Sequence, residues 1–183
     1  MSKVIDEIAT SVKAGNLITV CSIGINEYED VTNKIANKLL KEEMGGAYIT
    51  ASRPASILSK NIDVGHSEFY FIDMISQNIG GSISDPRTSY IESPTMLESV
   101  ILNLDLVMRR LRTKNNFMIL DSINNLAIHS DHRILEEFVH VVVNKMKLKE
   151  VASILFSVKE QTPDELTNIL KLLSDTFVEG EEE

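Results

Sequence analysis

A chain of 183 residues has the length of one domain, and 43% hydrophobic residues are enough to bury one continuous core. Eight glycines and four prolines exclude a collagen-like or low-complexity chain, and a single cysteine, Cys21, excludes an internal disulfide framework and any multi-cysteine metal centre. Eighteen basic against 27 acidic side chains give a net charge of -9, which removes the electrostatic footprint that binding to a phosphate backbone usually shows.

Taken in chain order, Val4, Ile5, Ile8 and Val12 recur at helical spacing, with Gly15 placed to cap the carboxyl end. The run Leu17 to Cys21, apolar and β-branched, is too short for a buried helix and is predicted as a strand. A loop, Ser22 to Asp30, leads to a helix carrying Val31, Ile35, Ala36, Leu39 and Leu40 on one face, with Asp30 as N-cap and Gly45-Gly46 as its end. Ala47 to Thr50 is a second strand, a short helix follows over Ala55 to Leu58, and Glu68 to Asp73 is a third strand. Residues Ser76 to Ser93 hold turn formers without periodicity and are predicted as a long surface loop, a length that usually means function or disorder.

The longest helix is expected from Ser93-Pro94, with Leu97, Ile101, Leu104, Val107, Met108 and Leu111 inward and a cationic far end at Arg109, Arg110, Arg112 and Lys114. Phe117 to Leu120 is a fourth strand ending at Asp121, Arg133 to Met146 a helix, and Val151 to Val158 a fifth strand. A helix opening at Pro163 and a last strand, Thr176 to Val178, complete the series. Strands apolar on both faces, alternating with helices, predict a three-layer α/β/α sandwich around a mostly parallel sheet. No internal boundary or repeat stands out, so a single domain over 1–180 is expected, followed by an acidic tail at 181–183 that reads as a solvated end. The amino terminus lacks a signal-peptide pattern and no window is apolar enough to span a bilayer, so the expected compartment is cytoplasmic, without membrane contact.

In an open parallel sheet, function lies outside the carboxyl ends of the strands. Three such ends matter here: Ser22 to Asp30, Thr50 to Pro54, and Asp121 to Asn125. The first occupies the position of a phosphate loop, which needs glycines so that backbone N–H groups converge on the anion, and a lysine to meet its charge. It has one glycine, no lysine and three carboxylates. Two like charges about 4 Å apart repel by about 4 kcal/mol at an effective dielectric of about 20. The loop therefore argues against a nucleotide, with a divalent metal as the only rescue. At the second end Arg53 reads as a solvated arginine at a turn. At the third, Asp121 can hold magnesium, order a water or satisfy backbone N–H groups, and without a phosphate loop beside it the structural role is favoured.

His129, Asp131 and His132 lie together, but Asp131 as N-cap of the helix near Arg133 accounts for them better than a metal. Cys21 ends a strand beside an acidic loop, which would raise its pKa and blunt it, and Ser22 sits in no nucleophile elbow. The arginine cluster reads first as a solvated helix end and second as a protein contact. Nucleic acid is not expected there, because no aromatic side chains interleave with it.

Together these elements resemble the RecA-like ATPase core, most closely the KaiC-like group, and the resemblance covers nearly the whole chain. Leu17 to Val20 is similar to the strand feeding the family's Walker A loop, Val31 to Leu40 to the helix after it, and Phe117 to Asp121 with Ser122 to its Walker B strand. On the family's spacing Ser22 takes the first glycine, Glu27 the last glycine, Tyr28 the lysine and Glu29 the magnesium-binding serine or threonine. The acidic pair that activates water falls on Ala51-Ser52 or Ser52-Arg53, so only Asp121, with Ser122, keeps the pattern. The resemblance thus implies a RecA-like P-loop NTPase core that has lost its ATPase chemistry, of the kind found in small archaeal proteins, and no catalytic residue, metal or cofactor is expected. The function it implies is a scaffold or regulatory protein-interaction module, with weak ATP binding through Asp121 and an unconventional phosphate loop as the alternative. Its partner would be a protein: a homo-oligomer or an active RecA-like relative. Arg53, Arg109, Arg110, Arg112 and the long loop are the expected contact surface.

Overall fold

The computed structural model of the protein describes residues 2–180. Seven strands form one sheet: β1 (Ile18–Ile23), β2 (Gly45–Thr50), β3 (Phe69–Asp73), β4 (Thr88–Tyr90), β5 (Asn116–Asp121), β6 (Ala152–Val158) and β7 (Thr176–Glu179). Their spatial order is β4-β3-β2-β5-β6-β1-β7, and every pairing is parallel. The central strands are buried along their whole length, which is why they read as unbroken apolar runs rather than as alternations.

Alternate residues feed two separate cores. Phe117, Ile119, Ile154 and Phe156 point to the face covered by α1 (Ser2–Lys13), α2 (Tyr28–Lys41) and α3 (Ala55–Asn61). Met118, Leu120 and Leu155 point to the opposite face, under α4 (Leu97–Arg110), α5 (Ile123–His129), α6 (His132–Leu148) and α7 (Asp164–Leu173). Val31, Ile35 and Leu39 of α2 are wholly buried, each contributing about 1.5–3 kcal/mol by leaving water. The architecture is the three-layer sandwich expected, and its parallel pairing is complete rather than partial.

Several boundaries differ for identifiable reasons. Gly45-Gly46 does not end α2; both glycines open β2, where a Cβ on Gly46 would lie 2.7 Å from the Phe117 carbonyl oxygen. The helix stops instead at Lys41, and Glu43 turns the chain with φ of 60°. At its start α2 begins three residues earlier than expected. Glu27 is the N-cap position, and Asp30 lies in the first turn, paired with Lys34 at 2.6 Å. Ser93 and Pro94 do not start α4; the Met96 N–H donates to the Ser93 carbonyl in a turn, and the helix begins at Leu97, which is buried. The long loop is broken by β4, and its tip is tied back where the Tyr90 hydroxyl donates to the Ile83 carbonyl at 2.6 Å. Gly15, by contrast, ends α1 as expected, with φ of 84°. The acidic tail at 181–183 lies outside the described residues.

Candidate functional site

Parallel pairing aligns Thr50 of β2 with Asp121 of β5, so the carboxyl ends of these strands meet beneath the first turn of α2. Asp121 is fully buried. Its Oδ1 accepts a hydrogen bond from the Tyr28 hydroxyl at 2.8 Å, and its Oδ2 accepts one from the Tyr48 hydroxyl at 2.7 Å. A buried carboxylate without partners is strongly destabilising, so these two phenols are what let it lie there. Burial, then the Asp121 charge beside them, pushes both phenol pKa values well above the ordinary tyrosine value, which keeps both hydroxyls protonated as donors.

The cation of the cluster is Arg53. A tight turn after β2 aims it inward: the Thr50 hydroxyl donates to the Arg53 carbonyl at 2.6 Å and accepts from the Arg53 N–H at 3.1 Å. Its Nη2 lies 3.4 Å from Asp121 Oδ2 and donates to Thr32 Oγ1 at 2.9 Å, while Nη1 lies 2.9 Å from Glu29 Oε1. Burial lowers its pKa, but Tyr48, Asp121 and Glu29 outweigh that and hold it above the usual value. The guanidinium thus bridges a buried carboxylate and an exposed one, joining the end of β2 to α2 and β5.

A second internal contact closes the loop after β1. Glu160, from the one-turn 3-10 helix Lys159–Gln161, accepts a hydrogen bond from the Ile25 N–H at 3.1 Å. Its other oxygen would lie 3.3 Å from a Cβ on Gly24, so the one glycine of the loop leaves room for this carboxylate. An anionic group from the chain itself therefore lies against a backbone amide of this loop.

Placed in the structure, the residues singled out from sequence separate into groups. Tyr28, Glu29, Asp121 and Arg53 converge. Ser22 does not: it is a buried residue of β1 whose carbonyl accepts the Gly180 N–H at 2.8 Å. Glu27 sits at the α2 N-cap position, and Ser122 caps α5 by accepting from the Asn125 N–H at 3.4 Å. Arg53 is neither solvated nor available as a contact surface, because its side chain is 17% exposed and turned onto Asp121. Within the loop, Glu29 is paired with Arg53 and Asp30 with Lys34, so these carboxylates are compensated rather than left to repel an anion. Cys21 is inert through burial rather than through acidic neighbours, its thiol pushed far above the usual range. Asp131 caps α6 through the Arg133 N–H at 2.9 Å. Arg109, Arg110 and Arg112 remain exposed, with Arg110 over the Tyr70 ring at 5.9 Å. Among the described residues no three His, Cys, Asp or Glu side chains are grouped to hold a metal, and no helix is long and apolar enough to cross a membrane.

Tyr48, Thr32 and Glu160 belong to the site and were missed from sequence. Tyr48 left a usable signal, since a tyrosine inside a wholly buried strand must find a partner for its hydroxyl. Glu160 left none, because its contact joins positions 135 residues apart.

No family model matches the sequence, and no curated protein sequence matches it. Solved structures do. A KaiC-like protein of the hyperthermophilic archaeon Pyrococcus horikoshii superposes with a TM-score of 0.62 at 13% identity, covering 90% of this chain and 70% of that one. The flagellar accessory protein FlaH of Methanocaldococcus jannaschii superposes with a TM-score of 0.54, also at 13% identity with the same coverage. At such identity the likeness establishes the fold alone: with its all-parallel sheet, this chain is an α/β protein that shares the RecA-like fold of these two structures.

Proposed function

We propose that this chain is a non-catalytic RecA-like domain that serves as a scaffold or regulatory protein-interaction module. One observation carries the reading: Asp121, the one acidic residue that keeps the family's pattern, is satisfied by the chain's own side chains, Tyr28 and Tyr48 as donors and Arg53 as counter-ion. A magnesium–phosphate group needs carboxylate lone pairs turned toward an accessible cation position and a loop of free amides beside it. Here the Tyr28 ring and the Arg53 guanidinium take the space above Asp121, and Glu160 takes the Ile25 amide. The residues present do not fit that group, so no catalytic step is derived through it. Work then falls to the surfaces, with a second copy or an active RecA-like relative as the class of partner.

The reading is tested by measuring inorganic phosphate released from ATP with magnesium, for the native chain and for Asp121→Asn. The expected result is no release above buffer for either protein. Turnover in the native chain that Asp121→Asn abolishes would overturn it.

A further inference from the structure

Helix α4 packs on β2 and β3 and meets α6 along one flank, where Asp105 accepts from the Lys145 ammonium at 2.6 Å. Its outer face carries two leucines one turn apart, Leu102 at 61% and Leu106 at 44% exposed. Arg109 and Arg110 follow one turn later, so the leucines and the arginines share one side of the helix. A single exposed leucine needs no explanation, but an apolar pair running into a cluster of cations has the make-up of a contact surface.

The cations there are not neutralised by the chain. Among the described residues the side chains of Arg109, Arg112 and Lys114 are exposed and have no ion-pair partner. The Arg110 guanidinium lies over the Tyr70 ring at 5.9 Å, which steers that side chain and leaves its charge uncompensated. The carboxylates at this end of the fold are used elsewhere. Glu68 accepts from the Arg112 and Thr113 N–H groups, Asp85 from the Arg87 N–H and the Thr88 hydroxyl, and Asp105 is held by Lys145. Glu98, in the first turn of α4, lies about 16 Å along the helix from Arg109. A helix dipole accounts for cations in the last turn, at Arg109 and Arg110. It does not account for Arg112 and Lys114, which lie beyond the end of the helix.

The geometry points to the outer face of α4 as a docking site for an acidic, amphipathic helix of a partner protein. Its apolar residues pack on Leu102 and Leu106, and its carboxylates meet Arg109, Arg110, Arg112 and Lys114. A nucleic acid fits less well, since the ring beside these cations, Tyr70, is covered by Arg110 and a long polyanion would meet the rest of a chain with net charge -9. The inference rests on the surface-acting reading above, but it is read by peptide binding rather than ATP turnover, so either can fail alone.

The experiment uses the full chain and a fluorescein-labelled helical peptide of glutamate and leucine, its leucines four positions apart, followed by anisotropy at about 0.15 M salt. The lysine–leucine counterpart is the control. The expected result is saturable binding of the acidic peptide only, weakened about tenfold by Arg109→Glu with Arg112→Glu. Arg109→Gln with Arg112→Gln, which removes the charges without opposing the α4 dipole, should weaken it severalfold, as should Leu102→Gln with Leu106→Gln. Charge reversal on the opposite face of the sheet, Lys41→Glu with Lys60→Glu, should leave affinity within about twofold. No saturation up to about 1 mM peptide, equal binding of both peptides, or equal weakening by the α4 and the opposite-face charge reversals would overturn the proposal. Displacement of the peptide by duplex DNA at the same salt would overturn it in favour of nucleic acid. A dimer in sedimentation that Leu102→Gln with Leu106→Gln dissociates would overturn it in favour of a second copy.

Discussion

The end of the sheet at Asp121 and the edge at β7 use opposite solutions to the same problem, a backbone or side-chain group that needs a partner. At Asp121 the chain supplies the partners itself, two phenols and a guanidinium, and in the neighbouring loop the Glu160 carboxylate accepts from the Ile25 amide. At β7, among the described residues, strand pairing is made on one side only, by β1, and an open groove lies between the strand and α1. A site satisfied from within gains nothing from a ligand, because a ligand must first displace contacts of similar strength. At an open strand edge an arriving strand has no internal contact to displace, and only the cost of association remains. The difference separates a strand end filled by the chain's own side chains from an edge where strand pairing is one-sided among the described residues.

Substitutions can break this comparison, and the greatest loss is expected at Arg53. Arg53→Met removes the cation beside a wholly buried carboxylate and should cost about 3 kcal/mol in denaturant unfolding. A loss below about 0.5 kcal/mol would mean the guanidinium does not compensate Asp121. Tyr28→Phe and Tyr48→Phe each remove one hydrogen bond to a charged acceptor and should cost about 1.5–2 kcal/mol. Their double variant should lose less than the sum, since both phenols serve one carboxylate.

The same phenols set a pH dependence. Their folded pKa values are raised, so their contribution to stability is fully present below the ordinary tyrosine value, about 10, and is lost as pH rises above it toward the raised values. Stability of the native chain should therefore fall above pH about 10. In the Tyr28→Phe, Tyr48→Phe double variant that fall should be shallower, as urea midpoints across the alkaline range would show. The smallest effect belongs to the other region. Glu7→Lys and Glu179→Lys lie on exposed positions and should each change stability by less than about 0.5 kcal/mol, leaving melting temperature almost unmoved.

How much of this was legible in the sequence followed from how local each signal is. The sandwich could be read because α2, α4 and α6 repeat apolar residues every three or four positions, and because strands such as Phe117 to Leu120 are apolar on both faces. The short pieces could not. Seven residues of α5 and three of β4 are held by contacts outside themselves, through the Ser122 cap and the pairing with β3. Gly45-Gly46 reads locally as a stop, yet its reason lies in the neighbouring segment, where Thr113 crowds Gly45 and Phe117 crowds Gly46. The site followed the same rule. Tyr28 and Asp121 were picked out by position, but the bond between them spans 93 residues, and the inward turn of Arg53 depends on Thr50 and Thr32 together. Charge counted along the loop suggested repulsion as the obstacle to phosphate; the folded chain pairs those charges and puts a tyrosine ring and a guanidinium in the way instead.

The claim that the Asp121 site is filled from within is tested most directly by titrating the native chain with ATP and magnesium in a calorimeter. The account expects no saturable heat up to about 1 mM nucleotide, since a ligand would have to displace Tyr28 and Arg53 from a buried carboxylate. Saturation with a Kd below about 100 µM, about 5.5 kcal/mol of binding, would contradict it.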